Sequence, residues 1–161
     1  MKFLRAIRFD ASDLAVYDVA AGEREWVVSG AFAFAGLDAA QLSGKTRQAF
    51  ANGFLSLPSF GHSTFATVAT MSAPEHREIA DVLAHHLRDG YGAPDAAAAA
   101  AAAAGEMAFI ADLCAEKPVN CVFTVYRRLD EEGNIREAFR EIVPPGAPRH
   151  ARIWDVEEDH G

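Results

Sequence analysis

An α+β fold is what this sequence predicts: an antiparallel sheet of about five or six strands, with helices packed on one face in two layers. Three observations carry that expectation. Short β-patterned runs cluster at both ends of the chain, two long helical stretches fill the middle, and the connections within each β group are hairpin-short. Parallel β-α-β units would instead need a crossover of a dozen residues or more between successive strands.

The first β group comprises Lys2–Phe9, Leu14–Val19 and Glu25–Phe34, separated by the turn-rich segments Asp10–Asp13 and Ala20–Arg24. In the third run Trp26, Val28, Phe32 and Phe34 alternate onto one face, which reads as the core face. Gly30 shares that face and marks a bulge or a close approach by a neighbour. Asp38 and Gln41 form a capping-box pattern that opens a helix running to about Phe54. A Ser-, Pro- and Gly-rich loop, Ser56–Gly61, leads to a strand over Ser63–Met71. The loop from Ser56 to His62 is expected to be ordered, because Pro58 restricts it and Phe54, Leu57, Phe60 and Phe65 offer it apolar side chains to bury.

Ser72, Pro74 and Glu75 start the next helix with a cap, a first-turn proline and an acid against the helix dipole. Its apolar stripe is Ile79, Val82, Leu83 and Leu87, and Gly90-Tyr91-Gly92 ends it. A further helix spans about Asp95 to Glu116. Its run Ala96–Ala104 has high helix propensity but little to bury, so Phe109, Ile110 and Leu113 anchor the other half. Asn120–Arg128 reads as a strand and Asp130–Asn134 as a turn. Ile135–Val143 fits both a helix and a strand, and the preceding Gly-Asn turn favours a hairpin. Residues 1–145 are thus expected to form one domain, with 146–161 a proline-rich linker and acidic tail. In that tail Trp154 either packs on its own domain or anchors a partner.

Composition narrows the functional classes. The chain has 161 residues, half of them apolar, and a formal charge of −8, a globular composition that argues against nucleic acid as a partner. No cationic amphipathic helix favours a membrane surface, and the charged N-terminus is neither a signal peptide nor a spanning helix. Cys114 and Cys121, seven positions apart, fit neither a redox nor a zinc motif and read as buried free thiols, which places the chain in a reducing cytoplasm. Thirty-three alanines, with twelve arginines to three lysines, suggest a GC-rich bacterial genome.

The segment Lys45–Thr64 carries the candidate binding site. Lys45, Gln48 and Asn52 share one helix face at i, i+3 and i+7; Lys45 and Gln48 suit a carboxylate or phosphate, with Asn52 near the following loop that carries Ser59 and His62, and the alternative is an ordinary solvated face opposite Leu42, Ala49 and Phe50. Gly44-Lys45-Thr46 imitates the end of a phosphate-binding loop, but Ala39 stands where that motif needs glycine. Ser59, His62 and Ser63 lack the elbow and oxyanion hole of a hydrolase, so no catalytic residue is assigned. Glu78, Asp81 and His85 share a helix face that could present metal ligands but reads as a solvated surface, and His86 turns toward the apolar side. Neither cofactor nor metal is expected.

The strings Lys2-Phe-Leu-Arg5, Ile7-Arg-Phe-Asp10, Gly44–Leu55, Ser59-Phe-Gly61, Ser63-Thr-Phe65 and Tyr91-Gly-Ala-Pro94 together resemble a family of uncharacterised proteobacterial proteins, a domain of unknown function. The resemblance covers most of the chain and implies a one-domain bacterial protein without supplying a role for any residue. The expectation for function is a non-catalytic accessory or protein-interaction domain, acting as a homodimer or with a protein partner. The alternative is a small-molecule-binding protein or enzyme with its site on Lys45–Thr64.

Overall fold

The computed structural model describes residues 1–143 and the backbone of 154–157. The linker assigned to the stretch after 145, and the side chain of Trp154, lie outside the described residues. The elements are β1 (Lys2–Ile7), α1 (Ser12–Val16), β2 (Trp26–Val28), a 3-10 turn (Ala31–Phe34), α2 (Gly44–Asn52), β3 (Phe54–Leu57), β4 (His62–Ser63), β5 (Phe65–Thr70), α3 (Ala73–Gly90), α4 (Ala96–Cys114), β6 (Val122–Leu129), β7 (Ile135–Ile142) and β8 (Trp154–Glu157). The class is α+β, built on one antiparallel sheet. Its strand order is β4-β3-β2-β1-β5-β6-β7-β8, eight strands where about five or six were expected.

The sheet curls, so the simple two-layer picture fails. Phe54 on β3 and Phe139 on β7 stand five places apart in the strand order, about 24 Å in a flat sheet. Their ring centroids are 6.3 Å apart. The curl leaves two cores. The larger is formed where α3 and α4 pack on each other and on β1, β2 and β3, around Phe3, Leu4, Val27, Leu83, Met107 and Ile110. The smaller holds Tyr17, Phe34, Leu42, Ala49 and Phe50, with Leu129 and Ile135 against it.

Several local expectations change. The run at Leu14–Val19 begins as the short helix α1, and β2 ends at Val28, where Gly30 at φ 87 turns the chain into the 3-10 segment. The close approach at Gly30 is real: an added Cβ would lie 2.6 Å from the Cβ of Leu55. Asp38 and Gln41 do exchange the reciprocal backbone bonds of a capping box, at 3.1 and 2.9 Å, but these close a single turn. Helix α2 starts later, at Gly44, and stops at Asn52 because Phe54–Leu57 pairs with β2 as β3. Ser72 and Glu75 form the expected box on α3, and Ile135–Ile142 pairs with β6 as a strand. Trp154–Glu157, read as tail, pairs with β7 through its backbone.

Among the described helices, α4 alone is long and apolar enough to cross a membrane by length and composition. Here its Ala99, Ala103, Met107, Ile110 and Cys114 are buried in the fold. Cys114 and Cys121 are buried free thiols, and burial pushes both up to about 12.

Candidate functional site

Strand β5 pairs with β6 only through Ala66↔Phe123 and Thr67↔Val122, so the rest of β6 diverges from it. Helix α2 packs along β6. There Asn52 Nδ2 donates to the Val125 carbonyl at 3.3 Å, and Gln48 Nε2 donates to Asn52 Oδ1 at 3.2 Å. Two of the proposed binding residues are therefore engaged in closing the fold. Lys45, in the first turn, is exposed and makes none of these contacts. Ser59 Oγ donates to Glu25 Oε1 at 2.7 Å, a carboxylate that also takes Ser56 Oγ at 2.7 Å and the Gly22 amide at 2.6 Å. Burial, the largest single effect, pushes Glu25 up, but the bonds from Ser56, Ser59 and Gly22, with a smaller pull from Arg8, together outweigh it and hold the carboxyl below its ordinary range.

His62 sits deeper, with Tyr17 and Phe34 at ring distances of 5.7 and 6.0 Å. Nearby, Thr64 Oγ1 donates to Asp13 Oδ1 at 2.8 Å, so the Tyr17 hydroxyl, 2.8 Å from the same oxygen, must be the donor to it. Burial pushes the Tyr17 phenol up to about 12. The buried Nε2 of His62 has no hydrogen-bond partner, and burial, assisted by the Arg127 charge, pushes the imidazole down to about 4. Lys45, Asn52 and His62 thus do not converge on one cavity: Gln48, Asn52 and His62 are half-buried and held within the fold, while Lys45 and Ser59 are exposed.

The sign of the His62 contribution follows from its depressed value. Folding favours the neutral ring, so its stabilisation is complete above the unfolded value near 6.5 and is lost as pH falls through 4. The shift corresponds to about 3 kcal/mol. His62→Gln should therefore flatten the decline in stability between pH 7 and pH 4 by roughly that amount, measured as urea unfolding at a series of pH values. Parallel pH curves for the two proteins would remove the argument. Glu106, pushed up to about 6 by burial and then by Glu137, acts in the opposite direction in both proteins and cancels in the difference.

Arg127 was missed in the sequence. It is 1% exposed on β6 and joins four segments. Nη1 donates to the carbonyls of Phe50 and Gly53, both at 2.9 Å, Nη2 to the Ser29 carbonyl, and Nε to Glu137 Oε2 at 2.7 Å. Ser29 Oγ donates to the same Glu137 oxygen. The carbonyls at the end of α2 have no helical partner of their own, and a buried cation supplies one.

Among the concavities of the described residues, one borders this knot at Glu137 and another lies away from it. One, of about 520 Å³, has Asn52, Thr124, Tyr126, Arg128, Arg136 and Arg140 among its walls. None of its three arginines is free, and Arg136 Nε meets Asp130 Oδ2 at 2.9 Å. The other is a groove of about 570 Å³ between α3 and the Ser56–His62 loop. Phe60, Val82 and His86 form its apolar part; Glu78, Asp81, His85 and Asp89 complete it. Phe60 stacks on His86 at 3.7 Å with 12° between the planes, and Tyr91 abuts His86 at 5.1 Å. Burial holds His86 below the usual histidine range despite the opposing pull of Asp89. Phe60 thus packs on α3, as the apolar side chains of the loop suggest, and His86 is half-buried against it.

The triplet Glu78, Asp81 and His85 therefore flanks an aromatic groove. Among the described residues no three His, Cys, Asp or Glu side chains gather in a metal-holding geometry. Nothing local in the sequence joins Phe60 to His86, which are brought together only by the packing of α3 over the loop.

Fold and site together define an α+β protein with a curled antiparallel sheet, a buried Arg127–Glu137 knot and an open aromatic groove. The chain belongs to the family described as "Family of unknown function (DUF6505)", whose model matches residues 1–153. No curated protein and no solved structure matches it.

Proposed function

We propose that the chain is a non-catalytic protein-interaction domain of a bacterial cytoplasm, and that it docks its partner in the groove between α3 and the Phe60 loop. The observation that carries this reading is the Phe60–His86 stack. A bulky residue is held at φ 60, a backbone conformation that costs energy for phenylalanine, and its ring lines a concave surface. Aromatic side chains seated in a concavity are the usual anchors of protein interfaces.

A second copy of this chain is one candidate partner. Pairing through the β4 edge is disfavoured, because the Val19–Ala21 segment already covers it: His62 N donates to the Val19 carbonyl at 2.9 Å and Ala21 N to the His62 carbonyl at 2.8 Å. A sheet continued across a two-fold axis would have to use β8. A small-molecule site is the second reading, and the observation that favours it is the placement of Asn52 on the wall of the 520 Å³ cavity.

The test is a photocrosslink in the host cell. A photoreactive phenylalanine derivative replacing Val82 should give a discrete adduct identifiable by mass spectrometry, and the same group replacing Glu131 in the β6–β7 turn should not. An adduct of twice the chain mass would make the partner a second copy. Absence of an adduct at position 82, or equal labelling at both positions, would refute docking at this groove.

A further inference from the structure

The charge around the groove is one-sided. Glu78, Asp81 and Asp89 line it, and among the described residues no lysine or arginine does. Asp89 is also in the last turn of α3, where the helix dipole adds partial negative charge. His86 does not offset this, since burial favours its neutral form. An acidic segment would be repelled here, and a purely apolar one would cover carboxylates without pairing them, which is costly.

We propose, building on the docking reading above, that the groove receives an arginine-bearing basic segment of its partner, with a guanidinium against the Phe60–His86 rings and its N–H groups toward Asp81 and Asp89. Charge complementarity selects a cation, and the flat ring stack selects arginine over lysine. A guanidinium is planar and weakly hydrated, stacks on aromatic faces, and offers a fork of donors to carboxylates. An ammonium is a compact, strongly hydrated charge that gains less from a ring face.

The experiment uses the full chain and synthetic peptides of alternating glycine and arginine, glycine and lysine, or glycine and glutamate, titrated at fixed ionic strength. The arginine peptide should bind, the lysine peptide about fivefold more weakly, and the glutamate peptide not at all. Asp81→Asn with Asp89→Asn should weaken the arginine peptide about tenfold. Because a chain of charge −8 attracts any polycation, Glu131→Gln with Glu132→Gln serves as the control of equal charge change and should leave affinity unchanged. Equal binding of arginine and lysine peptides, equal losses in the two double variants, or no binding of the arginine peptide would overturn the proposal. Failure of the peptides with a persisting adduct at position 82 would leave docking intact and remove only the cation; loss of the adduct would remove docking whichever way the titration goes.

Discussion

Arg127→Met should destabilise the protein by about 3–5 kcal/mol in urea unfolding, a larger loss than removing any neutral polar side chain from the interior. The reason is what the substitution leaves behind. The carbonyls of Phe50, Gly53 and Ser29 lose their donor in the interior, and Glu137 keeps a carboxylate facing the site with only Ser29 Oγ beside it. Each buried orphan group costs on the order of 1–3 kcal/mol, partly recovered where water can enter. Arg127→Lys should recover little, because one ammonium cannot reach a carboxylate on one side and carbonyls from α2 and the β2 end on the other. Arg127→Met combined with Glu137→Leu should be more stable than Arg127→Met alone, since the second change removes the stranded charge. A loss below about 1 kcal/mol for Arg127→Met would mean that the knot contributes little and that the α2 carbonyls are satisfied by solvent.

The pair at the centre of that prediction was readable. Along β6, positions 123, 125, 127 and 129 share one parity, and three of them are Phe123, Val125 and Leu129, so Arg127 is placed on the core face by alternation alone. The Asp130–Asn134 turn fixes the hairpin register, which puts Glu137 directly opposite. An inward arginine facing an inward glutamate is a buried pair by arithmetic. The histidine and serines of 59–63, with their more conspicuous chemistry, masked it.

Other features were not legible for physical reasons. The capping box at Asp38 and Gln41 is a true signal of local backbone bonding, but a cap does not specify how far a helix runs, and Gly44 at φ 56, the first residue of α2, separates that turn from the helix. Phe54 reads as the end of a helix and Ser56–Leu57 as the start of a loop, because a short run buried at every position has no strand period to reveal it. The long helix α3 was legible because its cap agrees with its periodicity, and the last hairpin because its turn decided between two periods that Ile135–Val143 fits equally. The groove depends on Phe60 meeting His86 across 26 positions of sequence, a contact that only the assembled fold defines.

Gly61→Ala should cost on the order of 3 kcal/mol, at the upper end of overpacking effects. Gly61 lies between the strained Phe60 and the start of β4, and an added Cβ would sit 2.6 Å from both the carbonyl carbon and oxygen of Ala20 and 2.8 Å from the Ala21 nitrogen. These are main-chain atoms, so no rotamer change can relieve the contact. The chain would have to move the Val19–Ala21 segment off β4, and with it the bonds His62 N→Val19 O and Ala21 N→His62 O. Two consequences should appear together. Unfolding by urea should occur at lower denaturant, and the Phe60 ring should lose its fixed place on His86, seen as a shifted His86 imidazole resonance. Gly36→Ala provides the comparison: its φ of 83 also disfavours a side chain, but nothing lies within 4 Å of the added carbon. It should therefore cost only about 1 kcal/mol from backbone strain and leave the His86 resonance in place. Equal losses for the two variants would mean that the cost at Gly61 is backbone strain and not the close approach of Ala20.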